Sequence, residues 1–199
     1  MAEEVRKIDD HGLDILFRSA RTFYKWQDKP VSDELIHELY ELMKFGPTSA
    51  NGSPARIVFL KSDEAKARLL PALSPLNVEK SRTTGVVAIV AYDLEFYEHF
   101  HKLFPHADAK SWYVGNEALI LETALRNSSL QGAYLIMAAR SLGLDCGPMS
   151  GFDSNKLNEE FFPDGKWKVN FIINIGYGDP TTTFPRGPRL DFNEACRLL

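Results

Sequence analysis

The 199-residue sequence predicts a single domain, residues 1–199, that is built from alternating helices and strands. A hydrophobic content of 44% is sufficient for one well-formed core in a chain of this length. Some segments carry apolar residues at helical spacing, whereas others are short continuous apolar runs that are typical of buried strands. We find no internal repeat, low-complexity tract or linker that would mark a second domain.

Two long helices are predicted from their apolar spacing and their terminal residues. The first runs from Ser32 to Phe45, with a capping serine and two acidic residues in its first turn. Gly46-Pro47 ends it, since glycine tolerates a left-handed conformation and proline lacks an N–H. The second runs from Asn116 to Leu142 and stops at Gly143. Shorter helices are predicted over residues 9–17, 63–73 and 154–161.

The second half of the long helix, "AYLIMAARSL", is apolar on several sides. A helix of this kind is buried on more than one face. Burial in the core of one chain and burial between two subunits are both consistent with the pattern.

Three apolar runs are predicted as strands, over residues 55–61, 86–93 and 167–179. The longest strongly apolar stretch, from Val86 to Tyr92, is too short to span a bilayer, and the charged start "MAEEVRKIDDHG" does not resemble a signal peptide. We therefore expect a cytoplasmic protein with no membrane partner. The net charge of −4 and a pI of about 5.8 argue against a nucleic-acid partner.

No metal site or nucleotide-binding motif is expected. Cys146 and Cys196 are interpreted as reduced thiols, and no Cys-x-x-Cys pair occurs. His99, His101 and His106 lack the spacing of zinc ligands. The glycine patterns of a Rossmann domain and of a P-loop are both missing from the sequence.

The segment "FGPTSANGSPAR" concentrates residues that specify turns. Asn51-Gly52 alone favours a β-hairpin, but a hairpin needs a strand on both sides and a helix is predicted upstream. The segment is better explained as an ordered helix-to-strand loop that presents N–H, hydroxyl and amide groups to a ligand. A second candidate is "FRSARTF", whose arginines and serine suit phosphate oxygens, although exposed arginines at a helix end are common.

Several segments taken in order resemble the flavin-binding segments of the nitroreductase family. They are "RSARTF", "GPTSANGSPARIVFL", "NVEK", "AARSLGLDCGPMSGFD", "IGYGDP" and the arginine before "GPR". Within that family, "FPHADAKSW" and "GPMSGFD" are similar to the malonic semialdehyde reductase branch, which acts in pyrimidine degradation. The resemblance implies an α+β fold with a central mixed or antiparallel sheet flanked by helices. It also implies an intertwined homodimer with two FMN molecules at the subunit interface.

The resemblance assigns four groups of residues to FMN. The phosphate and ribityl end would meet Arg18, Ser19, Arg21 and Arg186. The ring would be covered by Pro47, Thr48, Ser49 and Asn51 of the neighbouring subunit and contacted by Asn77 and Lys80. The loop beside N5 would be Pro148, Met149, Ser150 and Gly151, with Ser150 where many nitroreductases carry Glu.

The implied reaction is a ping-pong hydride transfer from NADH or NADPH through FMN to a small acceptor, and it requires no catalytic side chain. The branch resemblance favours reduction of malonic semialdehyde to 3-hydroxypropionate. Alternatives are a broad nitro or quinone reductase and a non-catalytic flavin-binding protein. Candidates for binding a substrate carboxylate are Arg56 and Arg126, with His106 as a lid residue, although ordinary surface ion pairs explain all three equally well.

Overall fold

The computed structural model describes residues 7–199, and the first six residues of the predicted single domain lie outside this description. Its centre is a four-stranded antiparallel sheet in the order β1-β2-β4-β3. The strands are β1 (Ala55–Leu60), β2 (Val86–Asp93), β3 (Asp145–Met149) and β4 (Trp167–Gly176). β2 and β4 occupy the middle, and both strands contribute buried apolar side chains to each face of the sheet.

Eight α-helices surround this sheet within residues 7–199. They are α1 (Asp10–Leu13), α2 (Asp33–Met43), α3 (Asp63–Leu69), α4 (Pro75–Arg82), α5 (Phe100–Leu103), α6 (Glu117–Ser141), α7 (Ser154–Phe161) and α8 (Phe192–Ala195). A π-helical turn, Asp14–Arg18, continues α1. The predicted caps are present, since Ser32 and Asn116 each accept a hydrogen bond from an N–H in the first turn of α2 and α6.

The alternation of side chains along β2 and β4 divides the core into two layers. Val86, Ala88 and Val90 pack with α2 and α6 on one face. Val87 and Ile89 face the opposite layer, which includes residues of α3 and α7. The polypeptide between β2 and α6 forms a third, aromatic cluster centred on Phe96, Phe100 and Tyr113.

The sequence did not predict β3 or α4. β3 reads "DCGPM", and Asp, Gly and Pro are poor strand formers, so its conformation depends on pairing with β4. α4 lacks an apolar face, since Leu76 is 91% exposed while the buried positions are Asn77 and Ser81. Two predicted elements were also too long: the helix over 63–73 becomes a 3₁₀ turn after Leu69, and the last strand ends at Gly176.

The apolar surface of the long helix α6 was predicted to be buried either in the core of one chain or between two subunits. In the second half, Leu135, Ala138 and Ala139 are buried in the core of the same chain. Leu121 and Leu125 in the first half are exposed. Core packing therefore explains only part of the second half, and the uncovered apolar surface, which also includes Leu130 and Tyr134, extends along both halves of the helix. Between residues 7 and 199, no helix is long and apolar enough to cross a membrane.

Candidate functional site

A cleft of about 380 Å³ lies between the end of the first helical segment and the C-terminal tail, residues 183–199. Four of its lining side chains are arginines, namely Arg21, Arg140, Arg186 and Arg189. Phe17, Tyr24 and Phe184 supply apolar walls. Guanidinium groups bind phosphate oxygens in a bidentate manner, so the cleft suits a phosphorylated ligand.

Arg21 and Arg186 connect the two sides of this cleft through backbone carbonyls. Arg21 donates to the carbonyl of Phe184 in the tail. In return, Arg186 Nη2 donates to the carbonyls of Arg18 and Ala20 at 2.7 and 2.9 Å. Neither guanidinium forms an ion pair with a carboxylate of residues 7–199. Their positive charge is therefore available to an anion in the cleft.

The segment after Arg21 is held against the ends of β3 and β4. The Phe23 N–H donates to the Cys146 carbonyl at 3.3 Å, and the Trp26 indole donates to the Lys80 carbonyl at 2.9 Å. The Phe23 ring packs so closely on Gly178 that a Cβ at this glycine would lie 2.2 Å from ring atoms. These contacts fix the position from which Arg21 enters the cleft.

The side chains of Arg18 and Ser19 do not line the cleft that contains Arg21 and Arg186. The Arg18 guanidinium is exposed and pairs with Asp10 at 2.7 Å and with Asp14 at 3.2 Å. Ser19 lines a smaller neighbouring cavity of about 210 Å³, together with Arg140. A role for Arg18 and Ser19 at a phosphate therefore stays a prediction.

α4 packs beside the end of β3, where Asn77 contacts Gly151. Lys80 lies one turn after Asn77 on the same helix. Asn77 Nδ2 donates to the Gly151 carbonyl at 2.8 Å, and a Cβ at Gly151 would lie 2.7 Å from that nitrogen. Lys80 Nζ lies 4.8 Å from the centre of the Tyr24 ring, and burial lowers the pKa of this lysine. Within the described chain, Lys80 forms no ion pair with a carboxylate. Because Tyr24 also lines the arginine cleft, it links the two electropositive regions.

The end of β3 presents backbone rather than reactive side chains. Pro148 and Ser150 are exposed, whereas Met149 between them is buried, as the alternation of a strand requires. The thiol of Cys146 is buried, and desolvation raises its pKa to about 12. A thiol of this kind is inert, in agreement with a site that needs no side-chain nucleophile.

The loop from Pro47 to Ser53 is an ordered helix-to-strand connection and not a hairpin. Ala50, Asn51 and Ser53 have positive φ angles of 48°, 52° and 42°, while Gly52 has a φ of −69°. A type I′ hairpin would instead require positive φ at the glycine. Gly46 does not take the expected left-handed conformation. Its position is explained by packing, because a Cβ there would lie 2.7 Å from the Tyr134 ring.

Two buried polar residues of α6 hold this loop in place. Asn127 Oδ1 accepts from the Ser49 N–H, and Gln131 Oε1 accepts from the Ala55 N–H, both at 2.8 Å. Asn51 Nδ2 donates to the Leu103 carbonyl at 2.9 Å. Asn127 and Gln131 were not predicted as functional residues, although two amides one turn apart on an apolar helix are a signal that a sequence can show. Pro47, Ser49 and Asn51 themselves remain exposed, whereas Thr48 is half-buried and accepts from the Ser53 N–H.

The three candidates for a substrate carboxylate have partners within the chain. Arg56 pairs with Asp93 at 2.6 Å, Arg126 pairs with Glu122, and the His106 ring packs against Phe104 with 4.7 Å between ring centres. None of them lines the arginine cleft. The geometry thus favours an ordinary ion pair for Arg126 and ring packing for His106, whereas Arg56 is ion-paired and also lines a separate cavity of about 460 Å³.

The antiparallel sheet with helices on both faces defines an α+β protein, and its arginine cleft has the charge that suits a phosphorylated ligand. The sequence model of the nitroreductase family matches residues 17–177, and the chain belongs to this family. The predicted family and the predicted fold are both confirmed.

Bacterial relatives align over almost the whole chain. A "putative NADH dehydrogenase/NAD(P)H nitroreductase" of Polynucleobacter asymbioticus is 59% identical over 192 residues, which is 96% of this chain and 98% of the relative. A protein of Ralstonia nicotianae with the same description is 60% identical over 187 residues, or 94% and 96% of the two chains. Among solved structures, a "putative nitroreductase in complex with FMN" from Exiguobacterium sibiricum superimposes with a TM-score of 0.85 at 20% identity, covering 97% of this chain and 98% of that one.

Proposed function

We propose that this protein reduces malonic semialdehyde to 3-hydroxypropionate at the expense of NADH or NADPH. As a member of the nitroreductase family it is an FMN-dependent NAD(P)H oxidoreductase. The observation that carries the cofactor assignment is the cleft in which Arg21 and Arg186 lie without carboxylate partners among residues 7–199. A cytoplasmic location is part of the proposal.

The residues present fit FMN at both ends. Arg21 and Arg186 would hold the phosphate. Lys80, half-buried and without a carboxylate partner in the described chain, would face the ring, beside the Asn77–Gly151 contact that brings α4 close to β3. When bound, FMN accepts a hydride from the nicotinamide and passes it to the acceptor. The chain's own contribution is to orient the ring, to limit access of water and to supply a positive charge near it.

The choice of acceptor rests on the segments that resemble the semialdehyde reductase branch, "FPHADAKSW" and "GPMSGFD". A broad nitro or quinone reductase is the second candidate, and it is favoured by "FRSARTF", which resembles the wider family, and by the description of the relatives as nitroreductases. A flavin-binding protein without activity would hold an FMN that NADH cannot bleach under anaerobic conditions.

The test is a comparison of kcat/KM for malonic semialdehyde and for a nitroaromatic compound, with NADH and NADPH in parallel. The ratio of the two values measures discrimination between the acceptors. We expect the semialdehyde to have the higher value and the nitroaromatic to be a slow side substrate. A preference for the nitro compound by more than about tenfold, or ~1.4 kcal/mol in transition-state binding, would replace the semialdehyde by the broader function.

We further propose that the protein is an obligate homodimer in which the Pro47–Asn51 loop of one subunit covers the flavin of the other. The exposed Leu121 and Leu125 of α6 support this proposal, as does a C-terminal tail that exposes Phe184, Leu190 and Phe192. Obligate interfaces bury about 2,000–5,000 Å² of mainly apolar surface.

Light scattering of the purified protein is expected to give twice the chain mass of 22.5 kDa. Leu125→Glu places a charge on the uncovered face of α6, so this variant is expected to dissociate and to release FMN. Ala67→Glu on α3 is the control, because Ala67 is also exposed and α3 packs on the opposite face of the sheet from α6. A monomeric wild-type protein that binds FMN tightly would rule out a flavin site shared between subunits.

A further inference from the structure

Arg140 in the last turn of α6 lines the cleft and, like Arg189, is not assigned by the family resemblance. It lines both the large cleft and the neighbouring cavity that contains Ser19 and Asp145, so it lies at the wall between them. Its Nη1 donates to the carbonyl of Leu16 at 2.8 Å. Arg140 thereby connects the end of α6 with the helical turn that leads into the phosphate-binding segment.

The hydrogen bonding of Arg140 is incomplete. Its Nε is buried and has no hydrogen-bond partner among residues 7–199. In the same range, the only side-chain acceptor of Arg140 is Met137 Sδ, 4.0 Å from Nη1. A buried donor without a partner is unfavourable, so each such group in a native structure calls for an explanation. A cation in a last turn also stabilises the helix dipole, but here the guanidinium donates to another element and not to the final carbonyls of α6.

Asp145 is the acidic residue that could neutralise Arg140, since both line the smaller cavity. Its carboxylate accepts from the Gly178 N–H at 2.9 Å and forms no ion pair with Arg140 within 4.0 Å. Arg140 therefore has one backbone carbonyl as a hydrogen-bond partner, and it lines the cleft together with Arg21 and Arg186.

We propose that Arg140 is a phosphate-binding residue of this protein and acts together with Arg21 and Arg186. Its attachment to the Leu16 carbonyl holds it in place before a ligand arrives, as the carbonyls of Phe184, Arg18 and Ala20 do for Arg21 and Arg186. The proposal rests on FMN as the cofactor of the proposed function but not on the identity of the acceptor.

The experiment measures the dissociation constants of FMN and of riboflavin for the apoprotein from the quenching of flavin fluorescence. Riboflavin lacks the phosphate, so the ratio of the two constants isolates the phosphate contribution. Arg140→Met is expected to weaken FMN by roughly ten- to a hundredfold, as for the loss of a charge-assisted hydrogen bond. Riboflavin should change by less than about threefold, and Arg140→Lys should retain part of the preference for FMN.

Arg68→Met is the matched control, because Arg68 is an exposed arginine that pairs with Glu160 away from the cleft. Equal weakening of FMN and riboflavin by Arg140→Met would indicate a purely structural role and overturn the proposal, as would no change in either. Full recovery of FMN binding in Arg140→Met/Asp145→Asn would also overturn it, since neutralising Asp145 would then be the only role of Arg140.

Should Arg140→Met fail to fold, Arg140→Gln is judged by the same two constants. Because no acceptor is present, these outcomes do not depend on the substrate. A wild-type protein that binds no FMN would contradict the proposed function as a whole, whereas unchanged constants in the variants contradict the Arg140 proposal alone.

Discussion

Replacing Arg21 and Arg186 together by methionine is expected to weaken FMN binding by at least about a hundredfold. Each guanidinium would form a charge-assisted hydrogen bond worth about 1.5–3 kcal/mol, and ~1.4 kcal/mol corresponds to a tenfold change. The two losses need not add, because both groups would contact the same phosphate. Equilibrium dialysis of FMN against the apoprotein measures the change directly.

The single variants compare Arg21 and Arg186, which line the cleft, with Arg18, which does not. Arg18→Met is expected to have a smaller effect than Arg21→Met or Arg186→Met, because the Arg18 guanidinium already pairs with two aspartates. An exposed arginine with a single acidic partner, Arg68, again provides the control substitution. Wild-type affinity in the Arg21 and Arg186 double variant would refute the phosphate assignment.

Arg56→Met is expected to destabilise the fold by about 3–5 kcal/mol, the range found when one partner of a buried ion pair is removed. The Arg56 and Asp93 side chains are only 20% and 6% exposed, and their nearest nitrogen and oxygen are 2.6 Å apart. Arg56 also donates to the carbonyls of Ser53 and Ala55, next to the Pro47–Ser53 loop. Urea unfolding of the apoprotein gives the free energy of unfolding for this comparison.

The double variant Arg56→Met/Asp93→Asn is expected to recover part of this loss, because the aspartate no longer carries an uncompensated charge. Arg82→Met removes an exposed pair with Glu79 and should change the stability by less than about 1 kcal/mol. If Arg56→Met is no more harmful than Arg82→Met, the ion pair is not structural, and Arg56 becomes available again as a substrate-binding residue.

The elements that were predicted well from the sequence carry start and stop signals within their own segments. α6 begins after Asn116 and ends before Gly143, whose φ of +75° suits a glycine. Both ends were predictable because capping and chain reversal depend on residues next to each other in the sequence. β3 and α4 carry no such signal. A strand that reads "DCGPM" forms only when β4 supplies the pairing, and α4 buries polar residues such as Asn77 whose partners lie elsewhere in the chain.

The candidate site also depends on contacts between separate elements that no local sequence signal indicates. Arg21 and Arg186 are distant in sequence, and only the resemblance to a family indicated that they belong together. The contact of Arg140 with Leu16, and those of Asn127 and Gln131 with the loop, depend on how α6 lies in the fold. No spacing rule within one segment predicts such contacts, because each partner comes from a different element.

The left-handed residues Ala50, Asn51 and Ser53 also bear on the thermodynamics of ligand capture. Each unfavourable backbone conformation costs on the order of 1–3 kcal/mol, and the contacts made by Asn127 and Gln131 offset this cost when the chain folds. A loop shaped in advance loses little conformational entropy when a ligand binds, so more of the contact energy appears as affinity. Glycine at position 50 would relax the loop and exchange this preorganisation for conformational freedom.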